Sequence, residues 1–298
     1  MAKPAIAVMP LTKAIGAEIS GVRLNEPLDV ATQDAIYQAL LNHLVIFFRD
    51  QDISPGQHLR FAQTFGELDA PHPFYPHVPG FDRIVMLAND PSNPPDNAVW
   101  HTDLTFRPEP PFASILVARD VPAVGGDTLW ASMYAAYDAL PADIKAYLDT
   151  LSAVHDMGDF RNYFTVSESS GERLTGAMQR FGCAIHKVVK AHPVTGRKFL
   201  YVNEGFTNHI IGMPAGESRR LLNYLIDHIN RPEYQVRFNW QIGSIAMWDN
   251  RCTQHYAVSD YLPAHRCMNR ITVVRDRRAV GANKIGRASC RERVLTDV

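Results

Sequence analysis

Apolar and polar positions switch in short runs along most of this chain, and only a few stretches keep the 3.6-residue period of a helix. Ala5–Leu24, rich in small and β-branched residues broken by glycine, predicts short strands. Ile36, Leu40 and Leu41 recur at helical spacing and predict a helix over Asp29–His43, with Val45–Phe48 following as a buried strand. Ser54-Pro55 offers an N-cap and a proline suited to a first helical turn, and Gly66 a stop. Tyr134–Leu151 reads as helical with an interruption at Pro141. Leu221, Leu222, Leu225 and Ile229 form the apolar stripe of an amphipathic helix over Glu217–Asn230.

Strands are predicted at Arg83–Leu87, Val99–Phe106, Ala113–Ala118, Thr128–Ala131, Lys198–Asn203, Tyr234–Trp240, Ser244–Trp248 and Asn269–Arg275. The remainder of Asp69–Asn97 is loop-like, and loops on a rigid scaffold often carry binding groups. Asp156–Arg180 is polar and reads as a long loop or lid. Many short strands with few, dispersed helices argue against alternating βαβ units. The expected fold is mainly β with peripheral helices, a double-stranded β-helix (jelly roll), as a single domain over residues 1–283.

Composition narrows the function classes. At 298 residues the chain can bury a large core, and its formal net charge of −1 gives no basis for polyanion binding, so no nucleic-acid partner is expected. No uninterrupted apolar run of membrane-spanning length occurs and no signal peptide is visible; no membrane partner is expected. The four cysteines show neither a pairing pattern nor zinc spacing, which suits a reducing cytoplasm. Residues 284–298 read differently from the rest: Ile285–Val294 back-translates to a common sequencing-adapter oligonucleotide. This tail is expected to be non-native, with the natural chain ending near Asn283. Oligomeric state stays open; a homo-oligomer is compatible with everything above.

The candidate chemistry centres on Trp100-His101-Thr102-Asp103, with His255 far downstream at the end of Trp248-Asp249-Asn250-Arg251-Cys252-Thr253-Gln254-His255. On a strand, side chains at i and i+2 point to one face, so His101 and Asp103 could aim an imidazole and a carboxylate at one point. A histidine on a neighbouring strand would complete two nitrogens and one oxygen on one side of a metal, leaving the other positions open. That is the facial arrangement of non-haem Fe(II) oxygenases. Arg266 and Arg270 follow, flanking or entering a closing strand; their spacing of four reads as not a single-face strand spacing. A guanidinium fork binds a carboxylate bidentately, as a dicarboxylate co-substrate would require.

Ordered motifs accompany these residues: Phe47-Phe48-Arg49-Asp50-Gln51, Phe65-Gly66-Glu67-Leu68, His72-Pro73-Phe74-Tyr75-Pro76, Gly125-Gly126-Asp127-Thr128-Leu129-Trp130 and Val202-Asn203-Glu204-Gly205-Phe206-Thr207. Over about residues 5–278 the chain resembles the TauD/TfdA family of Fe(II)- and 2-oxoglutarate-dependent dioxygenases, and among them most of all the taurine dioxygenase group.

That resemblance implies iron ligands at His101, Asp103 and His255. It implies 2-oxoglutarate contacts from Arg266, Thr128 and Asn97, with dioxygen as the second co-substrate. Arg270 matches the residue that binds a substrate sulfonate, and His72, Tyr75, Leu104 and Phe206 match further substrate positions. Phe160 and Phe164 both match a substrate-facing phenylalanine. The implied reaction is hydroxylation of a small sulfonate, taurine foremost, releasing sulfite and aminoacetaldehyde. Other small anions (an alkylsulfonate, a sulfate ester or an aryloxyalkanoate) are alternatives, because Leu104 replaces a smaller valine, Asn269 a histidine, and Ile185-His186-Lys187 stands where a His-Pro step is usual. An alternative of another class is a non-catalytic metal-binding barrel acting as a ligand sensor, against which the co-substrate arginine argues.

Overall fold

The computed structural model describes residues 6–72, 75–95, 98–157 and 182–279. Asn97, Phe160, Phe164, nearly all of the expected lid and the tail lie outside them.

The helices form where local signals are strongest. Helix α1 (Val30–His43) starts at Asp29, whose Oδ1 accepts the Thr32 N–H at 2.8 Å. Helix α2 (Pro55–Phe65) has a reciprocal cap: Ser54 Oγ accepts the Gln57 N–H, and Gln57 Oε1 accepts the Ser54 N–H. It ends where Gly66 packs against strand backbone; a Cβ there would stand 1.7 Å from the Arg275 carbonyl oxygen, so no other residue fits. Pro141 separates α3 (Met133–Asp138) from α4 (Ala142–Leu148), and α5 (Ala215–Ile229) buries Leu222, Leu225 and Ile229.

Two sheets make the jelly roll. The larger runs in the order β1 (Ala7–Pro10), β2 (Ala17–Ser20), β3 (Val45–Phe48), β15 (Ile245–Asp249), β7 (Ala113–Asp120), β17 (Arg266–Asp276), β6 (Phe81–Asn89) and β5 (His77–Val78), with β4 (Gly66–Leu68) also on β17. The smaller has β8 (Thr128–Ser132) between β14 (Gln235–Phe238) and β16 (Thr253–Ala257). Three further strands, β10 (Ala184–Lys187), β9 (Ser152–His155) and β13 (Thr207–Ile210), form a flanking sheet, and β11 (Val189–Ala191) pairs with β12 (Lys198–Leu200). Strands β9, β10, β11, β13 and β16 are absent from the sequence reading: each is at most five residues long, too short for a period to register.

The alternation of the central large-sheet strands feeds two cores. Phe47, Leu116, Trp248 and Met268 pack with Trp130, Phe238 and Trp240 between the sheets. On the other face Ile46, Phe48, Ile115, Ile245 and Ile271 pack under α1 and α2. No helix among the described residues is long and apolar enough to cross a membrane. Cys252 and Cys267 are free thiols, whereas Cys183 is disulfide-bonded, which the cysteine spacing does not announce.

Candidate active site

The expected strand over Val99–Phe106 does not form. His101 instead makes a single antiparallel bridge to His255, donating its N–H to the His255 carbonyl at 3.1 Å and accepting the His255 N–H at 2.8 Å. The chain then turns through Asp103–Phe106, with Leu104 at φ 58°. So His101 and His255 are neighbours through the backbone, and Asp103 reaches them from a turn rather than from a pleated strand.

The three side chains converge. Asp103 Oδ1 lies 3.7 Å from His101 Nε2 and 4.0 Å from His255 Nε2, and one ligand atom from each residue falls within 4.8 Å of the others. His101 Nδ1 sits 2.8 Å from the Val99 carbonyl, so that nitrogen carries the hydrogen and Nε2 presents its lone pair to the centre. Asp103 Oδ2 accepts the Ser114 hydroxyl at 3.0 Å, which leaves Oδ1 as the oxygen facing the histidines. Burial alone would raise the Asp103 carboxyl, but Arg270, His255 and His101 hold it well below the usual carboxylate range. Burial, with His101 beside it, pushes His255 down to about 3, so the ring is neutral. An ionised carboxylate, the neutral His255 imidazole and the His101 ring, all buried, supply the one oxygen and two nitrogens a divalent iron ion needs.

Arg266 and Arg270 share one face of β17, contrary to the reading of their spacing. Strand period 2 puts 266, 268 and 270 on the same side, and Met268 between them is core. Arg270 Nη1 is 3.3 Å from Asp103 Oδ1, while its Nε, also buried, has no hydrogen-bond partner among the described residues. Arg266 donates from Nε to the Gly126 carbonyl at 3.2 Å, with its guanidinium 6.0 Å from the Tyr261 ring. Gly126 has φ +69°, and a Cβ there would lie 3.2 Å from Arg266 Cδ and 3.3 Å from Tyr261 Cδ1. The turn bearing Gly126 is tied down by Asp260, which accepts its N–H, and by Asp127, which takes hydrogen bonds from Arg237 and Asn239. Thr128 opens β8 next to it. Its hydroxyl oxygen accepts the Trp240 indole N–H at 3.0 Å, so its own hydrogen remains to donate.

The other candidate residues gather on the Asp103 side. The Phe206 ring meets His101 edge-on at 6.0 Å and Phe106 at 5.3 Å. His72 packs on Tyr75, ring centres 4.8 Å apart, and accepts the Tyr75 N–H. Burial, reinforced by Arg270 and Arg107, pushes His72 down to about 3. Leu104 is the one residue of His101–Phe106 that is only half-buried.

A second cluster, His192, Asp249 and Cys252, also brings ligand-type atoms together. It is not built for a metal. His192 Nδ1 accepts two backbone N–H groups, so Nε2 carries the hydrogen and donates to Asp249 at 3.0 Å. Arg251 takes both Asp249 oxygens, leaving no lone pair aimed at an ion.

The taurine catabolism dioxygenase TauD, TfdA family profile matches residues 7–272. The chain belongs to that family. It is 39% identical over 269 residues to an alkylsulfatase of Acinetobacter baylyi, covering 88% of this chain and 83% of the relative. It is 38% identical over 271 residues to an alpha-ketoglutarate-dependent sulfate ester dioxygenase of Pseudomonas putida, covering 89% and 88%. The crystal structure of a taurine dioxygenase from Burkholderia xenovorans superposes with a TM-score of 0.79 at 37% identity, covering 92% of this chain and 90% of that one. The protein is an Fe(II)- and 2-oxoglutarate-dependent dioxygenase with the expected jelly-roll fold.

Asn250, Ser114 and Thr105, which carry much of the site's hydrogen bonding, were not singled out in the sequence. Asn250 lies inside a quoted motif, but its role is a contact with Asp103 across 147 positions, which no local pattern reveals.

Proposed function

We propose that this dioxygenase oxidises the carbon bearing the sulfur-oxygen group of a small organosulfur monoanion, with an alkyl sulfate ester as the preferred class. The observation that carries this reading is Arg270. A buried guanidinium stands 3.3 Å from the metal-facing oxygen of Asp103 and has an Nε with no partner among the described residues, so an anion held by it sits beside the reacting centre. His101, Asp103 and His255 hold the iron. Arg266 and the Thr128 hydroxyl take the remote carboxylate of 2-oxoglutarate; Asn97 is assigned to the same pocket by resemblance. His72, neutral in its buried position, adds a hydrogen bond without a second charge. Phe206, Leu104 and Tyr75 line the slot for the carbon chain.

Charge balance supports a monoanion. One carboxylate, two guanidiniums, a divalent cation and a dicarboxylate leave one positive charge in a buried site, which one sulfate or sulfonate group cancels.

When bound, iron and 2-oxoglutarate activate dioxygen: one oxygen atom enters succinate with loss of CO2, the other becomes a hydroxyl on the substrate carbon. For R-CH2-O-SO3−, the hydroxylated carbon collapses to an aldehyde as the C–O bond to sulfate breaks. The hydroxyl proton leaves with it, giving hydrogen sulfate. Arg270 holds the departing anion throughout.

Taurine, the leading substrate on sequence grounds, is the second reading, supported by the taurine dioxygenase likeness. Its ammonium would need an acceptor. Among the described residues around the slot, Asp69 is bonded to Arg107 and Asp156 to Asn208, while Asp103 faces the metal. Alkyl sulfates need no such acceptor, and relatives named for sulfate ester chemistry are 38–39% identical. The test is succinate formation across alkyl sulfates, alkylsulfonates, taurine and aryloxyacetates, reading sulfate and sulfite separately. Sulfate release from an alkyl sulfate is expected to be fastest; taurine-driven sulfite release as the fastest reaction would replace this reading with the second.

A further inference from the structure

Leu104 is a leucine in the left-handed region, at φ 58°, directly after Asp103. An L-residue with a branched side chain rarely adopts that conformation unless its surroundings impose it. The surroundings are unusually specific. On its N-terminal side, the Asp103 N–H and carbonyl are both held by the Asn250 side chain. On its C-terminal side, Thr105 is a hub with no solvent exposure. Its hydroxyl oxygen is 3.0 Å from His155 Nδ1 and accepts from Asn203 Nδ2 at 3.2 Å. Its carbonyl lies 2.8 Å from His186 Nε2, which also reaches the Arg107 carbonyl at 3.1 Å. A ring nitrogen between two carbonyl oxygens carries hydrogen, so His186 donates to both. The Leu104 carbonyl itself accepts the Arg107 N–H at 3.0 Å.

The same network reaches the opposite wall of the slot. Asn203 Oδ1 accepts the Phe206 N–H at 2.8 Å, and the Phe206 carbonyl accepts the Asp156 N–H at 2.9 Å. Tyr201 stacks on His155 at 5.6 Å and meets His186 edge-on at 5.2 Å, filling the space behind both rings. Burial pushes His186 down to about 4, and His155 also falls well below its ordinary value, so both rings act as neutral hydrogen-bonding groups.

We infer that Thr105, with Asn203, His155 and His186, is a positioning network that clamps Leu104 and Phe206 at a fixed separation and so sets which carbon chains the slot accepts. The inference rests on the substrate role of Leu104 and Phe206 given above. None of the four touches the reacting atoms. They act through the backbone on either side of Leu104, while the metal-facing geometry of Asp103 is secured separately by Asn250 and Ser114.

The test compares Thr105→Val and Thr105→Ser in the full chain. Three measurements are made: amide exchange across 103–107, Mn(II) affinity by calorimetry, and kcat and KM for each member of the alkyl sulfate, alkylsulfonate and aryloxyacetate panel. In Thr105→Val, exchange is expected to quicken about tenfold. The spread of kcat/KM across chain lengths should shrink about tenfold through KM, with Mn(II) affinity within about twofold of wild type. Thr105→Ser should restore both. The inference is overturned if Thr105→Val leaves exchange and selectivity unchanged. It is equally overturned if Mn(II) affinity and kcat fall together for every substrate, or if serine does not rescue. Leu104→Gly is the second variant, able to fold without the clamp because glycine adopts positive φ freely. It should raise Tm by a few degrees and flatten chain-length selectivity, and unchanged selectivity there counts against the inference. Should an aryloxy acid prove the preferred substrate, the sulfate reading fails, yet exchange, Mn(II) affinity and selectivity around that substrate still decide the role of the network.

Discussion

Asn250 holds Asp103 by its main chain on both sides: Oδ1 accepts the Asp103 N–H at 2.9 Å, and Nδ2 donates to the Asp103 carbonyl at 3.0 Å. Both residues are buried, so an alanine at 250 would strand two backbone groups and one end of the metal-binding turn. Asn250→Ala should cost about 2–3 kcal/mol in urea denaturation and weaken Mn(II) binding about tenfold or more. Normal metal affinity in a destabilised variant would mean that Ser114 alone orients the carboxylate.

The triad should behave as a unit. His101→Ala, Asp103→Ala and His255→Ala should each abolish Fe(II)-dependent turnover and lower Mn(II) affinity in calorimetry. Asp103→Glu keeps the charge but moves the oxygen by about one methylene, and a displacement of roughly 1 Å can cost about 100-fold in rate. Near-normal turnover in any of the alanine variants would remove that residue from the metal centre.

The two arginines should fail differently although they share a strand face. Arg266→Ala is expected to raise the KM for 2-oxoglutarate at least tenfold. Arg270→Ala should raise the KM for the primary substrate and leave slow 2-oxoglutarate decarboxylation that yields no aldehyde or sulfate. Exchanged phenotypes in initial-rate measurements would reverse the two assignments.

Gly126→Ala probes the co-substrate end without touching a charge. Its φ of +69° is unfavourable for alanine, and the new methyl would crowd Arg266 Cδ at 3.2 Å and Tyr261 Cδ1 at 3.3 Å. The expected result is a 2-oxoglutarate KM raised about tenfold with substrate KM unchanged; a change in substrate KM alone would contradict the placement of Arg266.

Buried neutral histidines make the fold acid-sensitive. Burial lowers His58 to about 3 and His186 to about 4, and lowers His155 well below its ordinary value. The unfolded chain therefore takes up protons near pH 6.5 while the folded one does not. The contribution of these histidines should be flat above about pH 7 and should fall as the pH drops from about 6.5 toward 4, by up to about 1.4 kcal/mol per pH unit for each such group. Urea midpoints across that range test this, and His58→Leu should make the decline shallower.

How much was legible in the sequence follows from how far apart the interacting residues lie. Ser54 caps α2, and Pro141 splits α3 from α4, through contacts within a turn, so the sequence alone located both. His101, Asp103, His255, Arg266 and Arg270 could be singled out as candidates in the sequence because metal and carboxylate chemistry restricts the side chains that can serve. Tertiary structure decided what joins them. Val99–Phe106 has strand-like composition, yet the His255 bridge, the Asn250 clamp and the Thr105 hub override it and bend the chain through a left-handed Leu104. Those partners lie 50 to 154 positions away along the chain, and only the tertiary fold brings them within hydrogen-bonding range. The shared face of Arg266 and Arg270 needed the same closure: β17 had to begin at Arg266, three residues before the predicted start, for pleat alternation to aim both guanidiniums into the barrel.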